Sequence, residues 1–159
     1  MTLRFGILTV SDRVSTGQMD DRGGAALAER LAREAHEVAR TAAVADESDD
    51  IVAALTAWAD EDHLDVILTT GGTGMSLRDV TPEATLSVCN RLVPGIAEEM
   101  RRRGLEKTPY SMISRAAVGL RGTTLIINLP GSPAGAIENL EVVLPVLDHA
   151  IATLHGGKH

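Results

Sequence analysis

The 159-residue chain holds one cysteine, Cys89, and three aromatic residues, Phe5, Trp58 and Tyr110. A single thiol excludes an intrachain disulfide framework and a cysteine-built zinc site, and it fits a reducing compartment. So few aromatics argue against recognition by stacking on an aromatic platform. No apolar run approaches the ~20 residues of a membrane span. Met1-Thr2-Leu3-Arg4-Phe5 enters a strand pattern at once, so a soluble, cytoplasmic protein with no membrane partner is expected. Basic charge is scarce as well: 15 Lys and Arg against 22 Asp and Glu give a formal net charge of −7. A broad electrostatic footprint for nucleic acid is therefore missing, and an anionic ligand has to be held by local N–H groups and a few basic side chains. The five histidines, His36, His63, His149, His155 and His159, show no metal-ligand spacing.

What remains is a core-forming sequence, 44% hydrophobic, of the size of one domain. Residues 1–155 are expected to form that domain and 156–159 a flexible tail. Phe5 to Val10 reads as a buried strand ending in the polar loop Ser11-Asp12-Arg13. Gly23-Gly24 leads into a helix with Leu27 and Leu31 on one face, and a weaker strand spans Glu37 to Val44. The acidic connection Ala45 to Asp50 follows, with Ser48 or Asp49 expected to cap a helix carrying Ile51, Leu55 and Trp58. Cys89 reads as a small core side chain on a later helix.

Strands alternating with amphipathic helices predict a three-layer, doubly wound α/β fold with a mostly parallel sheet. A helix from Pro94 to Arg103, stopped by Gly104, ends in Arg101-Arg102-Arg103, read as a solvated last turn favoured by the helix dipole. Ala116 to Leu120 and Thr123 to Leu129, joined by Arg121-Gly122, predict an antiparallel hairpin added to the sheet. The last helix carries Ile137, Leu140, Leu144, Leu147, Ile151 and Leu154 on one stripe, with Pro145 expected to kink or restart it.

The stretch from Asp65 to Ala84 carries the chemistry. Val66 to Thr70 is a short buried strand, and Gly71-Gly72-Thr73-Gly74 supplies three glycines in four residues, permitting close backbone approach by a ligand. Thr81-Pro82 reads as a helix cap with proline at the first position, and Ser132-Pro133 repeats the signal. A helix amino end attracts phosphate. Asp79, lying between two phosphate-attracting features, would repel a polyphosphate unless a cation intervened, and magnesium takes one or two carboxylates together with phosphate oxygens. The glycine turn alone is equally a tight strand-to-helix connection. It lacks the P-loop lysine and the third glycine of the dinucleotide fingerprint, which weakens the reading of an unrelated nucleotide hydrolase.

In a parallel α/β sheet ligands bind beyond the carboxyl ends of the strands. Four loops meet that description: Ser11-Asp12, Ala45-Asp46-Glu47, Gly71 to Asp79, and Asn128 to Ser132. Leu8-Thr9-Val10-Ser11-Asp12, Thr70-Gly71-Gly72-Thr73-Gly74 with Arg78-Asp79-Val80-Thr81-Pro82-Glu83-Ala84-Thr85, Ser114-Arg115-Ala116, and Asn128-Leu129-Pro130-Gly131-Ser132-Pro133 closely resemble the molybdopterin adenylyltransferase family. This is the bacterial Mog and MoaB group, related to the G domains of gephyrin and of its plant counterpart, and the likeness runs in one order through nearly the whole chain.

The resemblance implies a molybdopterin-binding, Mog/MoaB-like α/β domain, usually a homotrimer. It would move AMP from MgATP onto the terminal phosphate of molybdopterin, upstream of a molybdenum-insertion protein. Asp46 and Asp79 match the aspartates that serve the magnesium nucleotide, and Ser114 matches a serine tied to molybdopterin binding. Gly71 to Gly74, with Thr73 among them, and Asn128, Pro130, Gly131 and Ser132 match ligand-binding loops; Ser11 and Asp12 border the same cleft. Arg78 either stabilises phosphate charge or forms a structural ion pair. The rival reading is a non-catalytic molybdopterin carrier of the MoaB type, but pterin binding alone has no obvious need for two magnesium-directed carboxylates.

Overall fold

A computed structural model describes residues 1–157. Its six strands are β1 (Arg4–Val10), β2 (Glu37–Val44), β3 (Val66–Thr70), β4 (Arg91–Leu92), β5 (Val118–Arg121) and β6 (Thr124–Leu129). They form one sheet in the order β2-β1-β3-β6-β5-β4. The first four in that order are parallel, while β5 is antiparallel to both β6 and β4. The doubly wound, mostly parallel sheet with an antiparallel addition is thus as expected. β4 is new; two residues are too few to show an alternating pattern.

The helices are α1 (Asp12–Ser15), α2 (Arg22–Arg33), α3 (Ser48–Asp60), α4 (Thr81–Val88), α5 (Pro94–Leu105) and α6 (Pro133–Leu154), with a 3₁₀ turn over Pro109–Ile113. The strands bury both faces by alternation. Phe5, Ile7, Val66, Leu68, Leu125 and Ile127 pack on the side covered by α2, α5 and α6. Leu8, Val10, Ile67 and Ile126 pack on the side of α3 and α4, around Ile51, Leu55 and Trp58. Each such buried side chain contributes roughly 1.5–3 kcal/mol, which makes the sheet the rigid part of the molecule.

Several sequence expectations change for identifiable reasons. Thr81 is the first residue inside α4 rather than its cap; Val80 takes the cap position and offers no side-chain bond. Ser132 does cap α6, its Oγ accepting the Gly135 N–H. Neither Ser48 nor Asp49 caps α3: Glu47 stands at that position, and its side chain is turned elsewhere. α5 continues through Gly104, where the missing side chain lets Ser111 approach. Of the three arginines at its end, Arg102 and Arg103 pair with Glu99 as surface ions, but Arg101 turns inward to main-chain carbonyls. Pro145 neither ends nor restarts α6, because Leu140, Val143, Leu147 and Ile151 pin both halves to the same sheet face. Gly156 (φ +85°) and Gly157 close α6, their N–H groups donating to Thr153 and Ala152 carbonyls as in a Schellman motif. Lys158 and His159, the remainder of the expected tail, lie outside the described residues. No helix among the described residues is long and apolar enough to cross a membrane.

Candidate active site

The parallel strands β2, β1, β3 and β6 direct their carboxyl ends to one edge of the sheet, and four loops meet there. At the centre, Gly71 and Gly72 adopt φ of +103° and +69°, a region open to glycine at little strain. A Cβ on Gly71 would overlap the Val10 carbonyl oxygen, and one on Gly72 would overlap Thr81 Oγ1 and stand 3.2 Å from Asp46 Oδ1. Thr81 seals the turn from within: its hydroxyl donates to the Gly71 carbonyl at 3.0 Å and its N–H to the Gly72 carbonyl at 3.2 Å. The carbonyls of the turn are therefore committed inward. Among the described residues none accepts a hydrogen bond from the N–H of Gly72, Thr73 or Gly74, which leaves three donors in a row beside the carboxylates.

The carboxylates are tied to one another through the main chain. Asp12 N–H donates to Asp46 Oδ2 and Asp46 N–H to Asp12 Oδ1, both at 3.0 Å. This pair of bonds fixes the ends of β1 and β2 relative to each other. Arg78 lies across them. Its Nη2 donates to both Asp12 oxygens at 2.8 and 3.0 Å, and its Nη1 to Glu47 Oε1 at 2.8 Å. The Arg78 guanidinium holds the Asp12 carboxyl below its ordinary range. Asp46 is shifted the other way: withdrawal from water raises its pKa, and the neighbouring Asp12 and Asp79 charges add to the rise.

Asp79 ends the loop after the glycines. Its Oδ2 accepts the Ser76 N–H at 3.1 Å and would lie 2.9 Å from a Cβ on Gly74, so it faces the glycine turn directly. Among the described residues no group of three or more His, Cys, Asp or Glu side chains is disposed to hold a metal by itself. A cation at Asp46 and Asp79 would have to be completed by oxygens of a ligand. That is the habit of magnesium with phosphates, and the desolvated, like-charged surroundings of Asp46 fit such an ion.

Two cavities flank the turn after β6. One, of about 410 Å³, is lined by Ser11, Asp21, Thr70, Gly71, Gly131 and Pro133 among others. The second, of about 280 Å³, is lined by Tyr110, Ser114, Pro130, Ser132, Glu138 and Asn139 among others. Alternate residues of Pro130-Gly131-Ser132-Pro133 thus face opposite cavities. The turn is held by Thr70, whose Oγ1 donates to the Pro130 carbonyl at 2.8 Å. Ser11 caps α1 through Val14 N–H. Asn128 is fully buried; its Nδ2 donates to Thr69 and Thr85 and its Oδ1 accepts Ala117 N–H, so its side chain is engaged within the protein.

Sequence reasoning passed over Glu47, Thr81, Arg101 and Arg115. Glu47, Thr81 and Arg115 stood within ligand-edge loops or family motifs without a role of their own at the site, and Arg101 read only as surface charge. Arg115 donates from Nε to the Gly74 carbonyl and from Nη2 to the Asp79 carbonyl, each at 2.7 Å. Cys89 ends α4 half-buried, its thiol pKa raised by burial. His36 accepts the Leu3 N–H and His155 lies 3.6 Å from Asp65, both at the opposite edge of the sheet.

Sheet order and loop chemistry define a doubly wound α/β protein with a cleft at the carboxyl edge of its parallel strands, where unpaired N–H donors stand beside carboxylates. A family model described as a probable molybdopterin binding domain matches residues 6–149, and the chain belongs to that family. It is 41% identical to a molybdopterin adenylyltransferase of Helicobacter pylori over 162 aligned positions, covering 98% of this chain and 89% of that one. Identity to the Escherichia coli K12 protein of the same name is 42%, over 89% of this chain and 74% of the relative. The crystal structure of a molybdopterin biosynthesis enzyme, MoaB, from Thermus thermophilus superposes with a TM-score of 0.92 at 52% identity, covering 98% of each chain.

Proposed function

We propose that this chain is a molybdopterin adenylyltransferase of molybdenum cofactor biosynthesis, transferring AMP from MgATP to molybdopterin. The observation that carries the reading is the 41% identity to a protein of that name over 98% of the chain. The clustering of glycine turn, paired carboxylates and Ser114 pocket on one sheet edge supports it. Residues 1–155 act as one domain, in a homotrimer and in the cytoplasm, and the product passes to a molybdenum-insertion protein.

In this reading the N–H groups of Gly72, Thr73 and Gly74 hold the nucleotide phosphates, with Gly71 and Ser11 shaping the wall beside them. Asp46 and Asp79 hold magnesium, which when bound neutralises charge on the phosphates. Ser114 contacts molybdopterin on the far side of the Pro130–Ser132 turn, and Asn128 serves by fixing the start of that turn. Gly131 gives the nucleotide side its close approach, while Asp12 and Arg78 fix the floor of the cleft. A terminal phosphate oxygen of molybdopterin attacks the α-phosphorus of ATP. One P–O bond forms, the bond from the α-phosphorus to the bridging oxygen breaks, and pyrophosphate leaves with the electron pair. The nucleophile is already anionic, so no protein base is needed, and the protein's task is to hold two anions in line.

The test is mass-spectrometric detection of adenylyl-molybdopterin after mixing protein, molybdopterin and ATP with and without magnesium. Magnesium-dependent product is expected. Tight pterin binding without product would replace the enzyme with a carrier.

A further inference from the structure

The loop from Met75 to Asp79 carries a carboxylate of the proposed magnesium side yet is poorly tied to the body of the protein. Its bonds from Asp79 N–H to the Ser76 carbonyl and from Ser76 N–H to the Asp79 carboxylate are internal. Met75 and Leu77 are 69% and 101% exposed, so no apolar anchor holds it. Two arginines do. Arg78 reaches from the loop to Asp12 and Glu47. Arg115 reaches into it from the opposite side and grips both of its ends.

The Arg115 main-chain N–H donates to the Thr73 carbonyl at 2.9 Å. Its Nε and Nη2 take the carbonyls of Gly74, just ahead of the exposed segment, and Asp79, at its end. Its Nη1 meets both Glu83 oxygens at 2.8 Å, in the first turn of α4. One planar guanidinium therefore sets the span of the loop and its angle to the helix, which a single ammonium on lysine cannot do. Arg115 is in turn anchored on the pterin side. Ser114, its neighbour in the chain, lines the second cavity, and Arg101 Nη1 from α5 donates to the carbonyls of Ser114 and Ala116 at 3.3 and 2.8 Å.

We propose that Arg115 is a positioning residue that places Asp79 for the magnesium nucleotide. The proposal rests on the function given above. Loss of the clamp leaves Asp79 in place chemically but not geometrically, so the defect falls on the nucleotide side while pterin contacts survive.

The experiment uses the full chain and the variants Arg115→Ala and Arg115→Lys. For Arg115→Ala, kcat is expected to fall ~10²-fold, the size of a small misplacement of a reacting group. The magnesium concentration for half-maximal rate rises about 10-fold, as when a supporting contact to a metal ligand is lost. The KM for molybdopterin is unchanged. Guanidinium added in solution restores part of the Arg115→Ala rate, whereas Arg115→Lys stays impaired because its geometry is wrong. Hydrogen exchange on the unliganded protein reads the loop independently of activity: amides of residues 74–80 exchange about 10-fold faster in Arg115→Ala, while those of β3, the control for folding, do not change. Unaltered loop exchange overturns the proposal whatever the enzyme does. A loosened loop with wild-type kcat and magnesium dependence overturns it too, as does a molybdopterin KM raised as much as the magnesium requirement. If the wild-type chain forms no adenylyl-molybdopterin, the functional reading fails instead, and loop exchange alone decides whether Arg115 holds the loop.

Discussion

The chain starts two helices with the same local signal, a hydroxyl residue followed by proline, and uses them in opposite ways. At Ser132-Pro133 the hydroxyl does the expected task and caps α6. At Thr81-Pro82 it donates to the Gly71 carbonyl, and α4 begins with no side-chain cap. Thr81 is wholly buried, whereas Ser132 is exposed. A cap stabilises the helix that carries it by about 1 kcal/mol. The Thr81 hydroxyl instead stabilises a tight glycine turn in which, among the described residues, no acceptor meets the N–H groups of Gly72, Thr73 and Gly74 beside the carboxylates. Local sequence specifies that a hydroxyl is needed near a helix start; tertiary packing specifies which group it serves.

The contrast between the two helix starts is tested most severely just ahead of α4. Asp79→Ala is expected to lower AMP transfer by ~10²–10³-fold, the range for loss of a charge-stabilising group, with pterin binding intact; unchanged turnover would sink its assignment to magnesium. Next in size is Thr81→Ala, which leaves a buried carbonyl unpaired and costs about 1–3 kcal/mol. At about 2–4 °C per kcal/mol for a chain of this size, thermal melts resolve that loss. Thr81→Ser keeps the hydroxyl and recovers most of it, an outcome that a purely space-filling role would not give. Ser132→Ala is expected to lose only about 1 kcal/mol, and a larger loss than at Thr81 would reverse the contrast. On the pterin side, Ser114→Ala weakens molybdopterin binding more than ATP binding, and equal effects by calorimetry would refute the division of the cleft.

The smallest effects lie in the pH dependence. Asp12 has a depressed pKa, so its stabilisation is present above the ordinary value of 3.8 and is lost as pH falls through the lower folded-state value. Asp46 has a raised pKa and the opposite sign: its contribution is full below 3.8 and is lost as pH rises through the folded-state value. Asp46→Asn is therefore expected to melt slightly higher than wild type at neutral pH while losing magnesium-dependent transfer. A lower melting temperature there would mean that Asp46 is not held at the expense of stability. Arg78→Ala is expected to lower the melting temperature above pH 3.8 and to converge on wild type only once pH falls below the lower folded-state value of Asp12.

The fold was legible because its strands and helices differ in period. Val66 to Thr70 and Glu37 to Val44 are strands over the expected residues, and the apolar stripe of α6 is buried, though Ala136 and Val143 carry more of it than Ile137 and Leu144. β4 and the 3₁₀ turn at Pro109–Ile113 were not legible, being too short to repeat a pattern. At the site, the glycine turn and Asp79 were readable because the glycines, the carboxylate and the Thr81-Pro82 helix start follow one another directly after a strand. Arg115 stood in a family motif, but its clamp was not readable, since partners that are main-chain carbonyls 36 and 41 residues away leave no local trace. Asp46 and Gly72 were each visible alone, but their approach depends on the sheet order, which no spacing within the sequence encodes.

The turn after β6 sends Gly131 and Pro133 into one cavity and Pro130 and Ser132 into the other. It works as a party wall. A change anywhere in it is felt by both tenants, whereas Met19 and Asp20 border only the first cavity and Tyr110 and Ser111 only the second. Under the proposed function, redesign for another nucleotide or another pterin belongs on those outer walls, where one preference can drift while the other is left standing.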